Sequence, residues 1–172
     1  MHAPPWSVLP VIVLVILATR ADVRTRKIPN RLTGPAFLLA LATYWALGGP
    51  RAAGMAVVGG LVAGLVLLPG WLMGFMGAGD VKLMAAVGAW LGFPDGLLAA
   101  LAALVAGGVI AVIVAARQGR LMQAFRNALG LGRFLLGRMG GPAGTAPVFT
   151  GVRFPFAPAV LLGALFALLR RG

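Results

Sequence analysis

The chain carries only three acidic residues, Asp22, Asp80 and Asp95, against 15 Lys and Arg, one histidine and no cysteine. That set limits the available chemistry. His2 is the sole imidazole, so a Ser–His or Cys–His nucleophile cannot be assembled, and it has no second ligand partner for a metal. Without cysteine there is no thiolate catalysis and no Cys-ligated zinc. What remains is carboxylate chemistry. Two carboxylates sharing a site cannot both ionise cheaply, so one keeps a proton near neutral pH. The ionised member can draw a proton from a bound water while the protonated member donates to a scissile carbonyl oxygen. This is peptide hydrolysis by general acid–base catalysis, with no covalent intermediate, cofactor or metal.

Spacing separates the three acids. Asp95 follows Phe93-Pro94 and precedes an apolar run, an N-cap position where a carboxylate accepts backbone N–H groups, and its expected role is structural. Asp22 closes the first apolar run beside Arg20 and Arg24; taken alone, it is an interfacial charge paired with arginine as readily as a catalyst. Asp80 follows Gly77-Ala78-Gly79 at the start of another apolar run; taken alone, it is a second N-cap as readily as a catalyst. Gly77 and Gly79 lack a Cβ, so the backbone there can turn tightly and let an extended substrate strand approach. A Gly-x-Gly-Asp that opens a membrane helix, joined to a second aspartate at a membrane edge, is the more specific pattern.

The elements that would position these groups are membrane helices. The chain is 60% hydrophobic and only 10% charged, against about 25% charged in an ordinary soluble domain. The bilayer must therefore solvate much of the apolar surface. The pattern predicts an all-α polytopic membrane protein, a single domain over residues 1–172, with six transmembrane helices at about 6–21, 32–47, 52–73, 80–92, 95–116 and 154–169. Gly48-Gly49-Pro50 separates the second and third. The fourth is short for a hydrocarbon core of roughly 30 Å, which needs about 20 helical residues. Either it starts deeper than the others, or the glycine-rich approach (Gly74, Gly77, Gly79) is itself within the membrane, where irregular backbone requires protein or a watery cavity around it.

The formal charge of +12 does not indicate nucleic acid, because the basic residues fall in the gaps between apolar runs. The first run is followed, not preceded, by a basic cluster, so no cleaved signal peptide is expected and the N-terminus should lie outside. With that orientation every Lys and Arg is cytoplasmic except Arg51, Arg170 and Arg171. Asp22 and Asp80 then both fall at the cytoplasmic edge of the bilayer and could meet, whereas a carboxylate in the apolar region without function would be costly. Residues 117–153 form a long basic cytoplasmic connection. Leu121, Phe125 and Leu129 recur at four-residue intervals among Arg120, Arg126 and Arg133, as in an amphipathic helix lying on an anionic inner leaflet between the fifth and sixth spans; a plain surface loop that only anchors is the alternative. Gly54, Gly59, Gly60 and Gly64 in the third span, with Gly107-Gly108 in the fifth, read as close-packing positions.

Three stretches resemble the type IV prepilin peptidase family of membrane aspartyl proteases. The first is Asp22-Val-Arg-Thr-Arg-Lys-Ile-Pro29-Asn30, similar to the family's aspartate followed by a basic stretch and Ile-Pro-Asn. The second is Gly77-Ala-Gly79-Asp80-Val-Lys82 with the helix after it, and the third is Phe154-Pro155-Phe156-Ala157-Pro158-Ala159. The resemblance implies that Asp22 and Asp80 are the catalytic pair, that Gly77, Gly79 and Lys82 bind substrate or shape the site, and that the substrate is a prepilin or pseudopilin with a short basic leader ahead of an apolar helix. Cleavage would fall at the cytoplasmic face of the bacterial inner membrane. Pro29 would end the loop and Asn30 cap the second helix. Lys82 is either a field source near the pair or a cation snorkelling to lipid headgroups. Larger members carry a Cys-x-x-Cys insertion and also N-methylate the new pilin terminus; with no cysteine and no room for the insertion, this chain resembles the short, tight-adherence form, and methyltransferase activity is not expected. Two other readings are a Gly-x-Gly-Asp protease that cuts other membrane helices, against which the Ile28-Pro29-Asn30 tract argues, and a non-enzymatic small proton-coupled transporter or assembly scaffold. A proton relay belongs near the bilayer midplane at a repeat interface, and no repeat is visible here.

Overall fold

The computed structural model describes residues 4–25, 27–72, 76–119, 122 and 156–170. All their regular structure is helical: a 3-10 turn, Pro5–Ser7, leads into α1 (Val8–Thr25), followed by α2 (Asn30–Leu72), α3 (Ala78–Leu91), α4 (Asp95–Arg117) and α5 (Ala157–Leu169). Three stretches, Pro5–Thr25, Asn30–Leu72 and Asp95–Arg117, are long and apolar enough to cross a membrane, and the chain is a membrane protein. The residues that carry the expected amphipathic helix, Arg120, Leu121, Phe125, Arg126, Leu129 and Arg133, and the opening Phe154-Pro155 of the third motif lie outside the described residues.

α2 is one helix in name and a hairpin in space. Gly49 has φ 70° and ψ −167°, a backbone that glycine adopts without the Cβ clash of other residues. Pro50 follows and suits the first position of the returning helix. A straight helix would hold Phe37 and Gly60 about 35 Å apart, at ~1.5 Å per residue. Instead, a Cβ built on Gly60 would stand 2.7 Å from the Phe37 ring, and Tyr44 packs with Ala53 and Ala56. The Gly48-Gly49-Pro50 break therefore separates two antiparallel arms, 30–48 and 50–72.

α3 lies against both arms and against α1, α4 and α5. Leu83, Met84, Ala86, Val87, Gly88, Ala89, Trp90 and Leu91 are all buried, which resolves its short length: its surface faces protein, so it need not match the bilayer thickness that lipid-facing helices must span. The close approach depends on absent side chains. A Cβ on Gly59 would fall 2.5 Å from the Gly88 carbonyl oxygen, one on Gly64 would press on Ala85, and one on Gly96 would reach Gly88. Gly163 sits against Ala99 and Ala103, and Gly107 against the Phe156 ring. Small residues give helices van der Waals contact where lipid supplies no hydrophobic drive between them. Gly54 and Gly108 are different: both are exposed with nothing near them. Large apolar side chains face outward, as with Leu9 at 70% and Val105 at 70% exposed, an arrangement suited to lipid and not to water.

Directions follow from the contacts. α1 starts where α3 ends, since Trp6 meets Trp90 edge-on at 6.2 Å. α5 starts beside the end of α1 and runs antiparallel to α4. One end of the bundle thus gathers the end of α1, the start of α3 and the start of α5.

Several boundaries moved from expectation. α1 continues to Thr25 instead of stopping near residue 21, because nothing opposes it before Ile28-Pro29, where the pre-proline residue disfavours helix; the Thr25 hydroxyl bonds back to the Ala21 carbonyl at 2.9 Å. Asp22 is therefore inside the helix and not beyond it. Asp95 is the first residue of α4, with Pro94 in the capping position.

Candidate active site

The buried face of α1 is Val11, Leu14, Val15, Ala18 and Asp22. These are steps of three and four that keep one side of a helix toward the core. Asp22 ends that stripe, so helical periodicity turns its carboxyl inward, and it is only 6% exposed. There its Oδ2 accepts the Ala157 N–H at 3.1 Å. The first N–H groups of any helix lack an internal partner. At the start of α5, Ala159 and Val160 both donate to the Phe156 carbonyl, and Pro158 has no N–H to place. The Ala157 N–H is the donor left over, and Asp22 takes it.

Asp80 is the third residue of α3. Its Oδ2 accepts the Gly77 N–H at 2.9 Å, while its own N–H donates to the Gly77 carbonyl at 3.1 Å. This is the acidic half of a capping box; glycine has no side chain to supply the other half. The arrangement occupies one oxygen only. Asp80 Oδ1 is buried and has no hydrogen-bond partner, an uncommon condition for a buried polar atom and one that calls for a reason. Asp80 is 7% exposed, and its carboxyl lies close enough to Asp22 for the two charges to act on each other. Asp22 and Asp80, 58 positions apart in the numbering of the chain, thus lie at the same end of the bundle, one on α1 and one on α3. Asp95 begins α4 at the other end of α3, away from this pair.

The glycines before Asp80 serve differently from what their type suggests. Gly77 has φ −82° and ψ 154°, an extended backbone that any residue adopts, and it is exposed. Gly79 is helical, and its missing side chain admits Ile28: a Cβ on Gly79 would stand 3.1 Å from the Ile28 Cβ. Close packing, and not a tight turn, is what position 79 requires. Lys82 is exposed, and its Nζ donates to Asn30 Oδ1 at 3.0 Å. Asn30 is the first residue of α2, its side-chain oxygen engaged by Lys82, and not the cap that its type suggested.

Three features escaped sequence reasoning: the Lys82–Asn30 bond, the Asp22–Ala157 bond and the buried Thr19 hydroxyl. The last lies one turn before Asp22 and also has no hydrogen-bond partner. The Pro158 that removes a donor at the start of α5 was the available signal for the second. No local pattern marks the first or third.

Among the described residues no cluster of His, Cys, Asp or Glu could hold a metal ion. No curated protein and no solved structure matches the chain. A family model does: residues 9–112 match the type IV leader peptidase family, a span that includes both buried aspartates and the glycine stretch before Asp80. With more than half of its length matched, from the first turn of α1 to the last part of α4, the chain belongs to the type IV leader peptidase family.

Proposed function

We propose that the protein is a membrane aspartyl endopeptidase that removes the leader from prepilin or pseudopilin precursors, with Asp22 and Asp80 as its catalytic pair. The observation that carries this reading is the unequal use of two neighbouring buried carboxyls. Asp22 is held by the start of α5, and Asp80 keeps one oxygen, Oδ1, without a partner. A water between them would meet both groups. The ionised carboxylate takes a proton from that water, whose oxygen attacks the scissile carbonyl carbon. The protonated carboxyl gives its proton to the carbonyl oxygen. The tetrahedral intermediate collapses as the leaving nitrogen takes the proton that the first carboxylate accepted and one hydroxyl of the intermediate returns a proton to the second carboxyl. The products are the leader's new carboxylate and the new amino terminus, and the pair is left with one proton.

The helix directions support six spans: α1, the two arms of α2, α3, α4 and α5. With the N-terminus outside, the pair lies at the cytoplasmic face of the bacterial inner membrane. Arg20, Arg24, Lys27, Arg31 and Arg117 then lie at the same end, all exposed, where anionic inner-leaflet headgroups would hold them. Arg51 and Arg170 fall at the opposite end. On this reading a substrate's apolar helix stays in the bilayer and its basic leader projects past the pair. Such chemistry needs no methyl donor, and leader removal alone is the proposed activity.

The test is to reconstitute the full chain in lipid nanodiscs with a pilin-type precursor and to read the products by mass. A single cut between basic leader and apolar helix is expected. A panel of membrane helices without leaders should remain whole. Cleavage of that panel at equal rate would replace leader peptidase with a broader intramembrane protease, and no cleavage of either would overturn the assignment.

A further inference from the structure

The two aspartates reach the site on separate elements, α1 and α3, which must be held in register. A short connection, residues 27–29, leads from α1 into Asn30 at the start of α2, and two observations tie that connection to α3. Ile28 is buried at 9% exposure and rests in the space that Gly79 leaves open, directly before Asp80. Two residues on, Asn30 Oδ1 accepts from Lys82 Nζ, two residues after Asp80. The contacts therefore bracket Asp80 on both sides, one apolar and one polar. Such a link has a reason to exist at this place. General acid–base catalysis requires the groups within hydrogen-bond reach of one water, and a misplacement of about 1 Å can cost on the order of 100-fold in rate. A lysine bonded to a neutral amide at 3.0 Å is also committed in direction, which distinguishes it from one that merely reaches for headgroups.

We propose that Ile28, Asn30 and Lys82 form a brace that sets the separation of Asp22 and Asp80, with Asn30 and Lys82 as positioning residues. The proposal rests on the reading of Asp22 and Asp80 as the catalytic pair. Lys82 acts through Asn30 and the connection, and touches neither substrate nor the reacting atoms.

The chain has no cysteine, so two introduced cysteines, Lys27→Cys and Ala78→Cys, can carry spin labels that report the distance from the connection to the start of α3. The full chain in nanodiscs is expected to give one narrow distance distribution. Lys82→Met and Asn30→Ala should each broaden it, and Lys82→Arg, which keeps a donor, should largely restore it. In parallel, cleavage of the pilin-type precursor should fall on the order of 10–100-fold in kcat for Lys82→Met with KM unchanged, and the Lys82→Met/Asn30→Ala double variant should lose no more than either single. An unchanged distance distribution in Lys82→Met overturns the brace. So does a rise in KM at constant kcat, which would place Lys82 on the substrate, or a double variant whose loss is the product of the two singles, which would show that the two residues act independently. Because the distance is read without catalysis, the brace can hold or fail even if the aspartate pair is not the catalyst.

Discussion

The two ends of the helix bundle are built on opposite rules. At the end away from the aspartates, polar groups are satisfied by one another. The last carbonyls of a helix lack internal partners, and the residue that should donate to the Trp90 carbonyl is Pro94, which has no N–H. Tyr44 fills the gap, its hydroxyl donating to that carbonyl at 2.9 Å, while the Trp90 indole N–H donates to the Ala36 carbonyl at 3.0 Å. Trp6 packs on Tyr44 with ring centres 5.0 Å apart and on Trp90 at 6.2 Å. A cavity of about 260 Å³ opens beside them, lined by residues that include Trp6, Tyr44, Leu47 and Phe93. At the aspartate end two buried polar atoms are left over. The buried side-chain atoms without a partner among the described residues are Asp80 Oδ1 and Thr19 Oγ1, one on the pair itself and one a turn before Asp22. Among the described residues, every other buried side-chain polar atom has a partner, and under the proposed function the open Asp80 oxygen is where water and peptide would meet.

Substitutions can break that contrast. The largest effect is expected from Asp22→Asn and Asp80→Asn, which keep the shape of the side chains and remove the acid–base function. Each should reduce precursor cleavage on the order of 1000-fold or more, with thermal unfolding in detergent close to that of the parent. At the frame, Gly88→Val should act on folding instead of chemistry. A Cβ there already meets Ala63 and the Gly59 carbonyl oxygen at 2.5 Å, and overpacking of this kind costs about 1–3 kcal/mol or more, read as a lower unfolding temperature and poor yield. Tyr44→Phe leaves the Trp90 carbonyl buried and unpaired, a loss of about 1–3 kcal/mol; kcat of the folded protein should not change. The smallest effect belongs to Thr19→Val. Removing a buried hydroxyl that has no partner should leave the unfolding temperature unchanged or slightly raised. A clear destabilisation there would show that the hydroxyl is satisfied and would blur the contrast between the two ends.

Much of this was legible in the residues. Apolar runs named the helices, Gly48-Gly49-Pro50 marked the reversal that the φ of Gly49 makes possible, and charge economy singled out Asp22 and Asp80, because a chain with three acids in an apolar setting offers few alternatives. Helix ends were less legible. The true end of α1 came after Asp22, since arginine and threonine continue a helix as well as they leave one. What could not be read were the ties between distant residues: Tyr44 to Trp90 across 46 positions, Asn30 to Lys82 across 52 and Asp22 to Ala157 across 135. These depend on which helix faces are adjacent, and in this protein the faces are chosen by glycines and alanines whose packing leaves no periodic signature. The same holds for Gly79, whose type suggested a turn and whose neighbour Ile28 supplies the actual reason.

That Asp22 and Asp80 work as one unit is tested most directly by comparing the double variant Asp22→Asn/Asp80→Asn with each single variant in a reconstituted cleavage assay. Groups that share one proton and one water fail together, so all three variants are expected to retain the same residual kcat/KM. A single variant that cleaves at the parent rate, or a double variant that falls by the product of two partial losses, would contradict it.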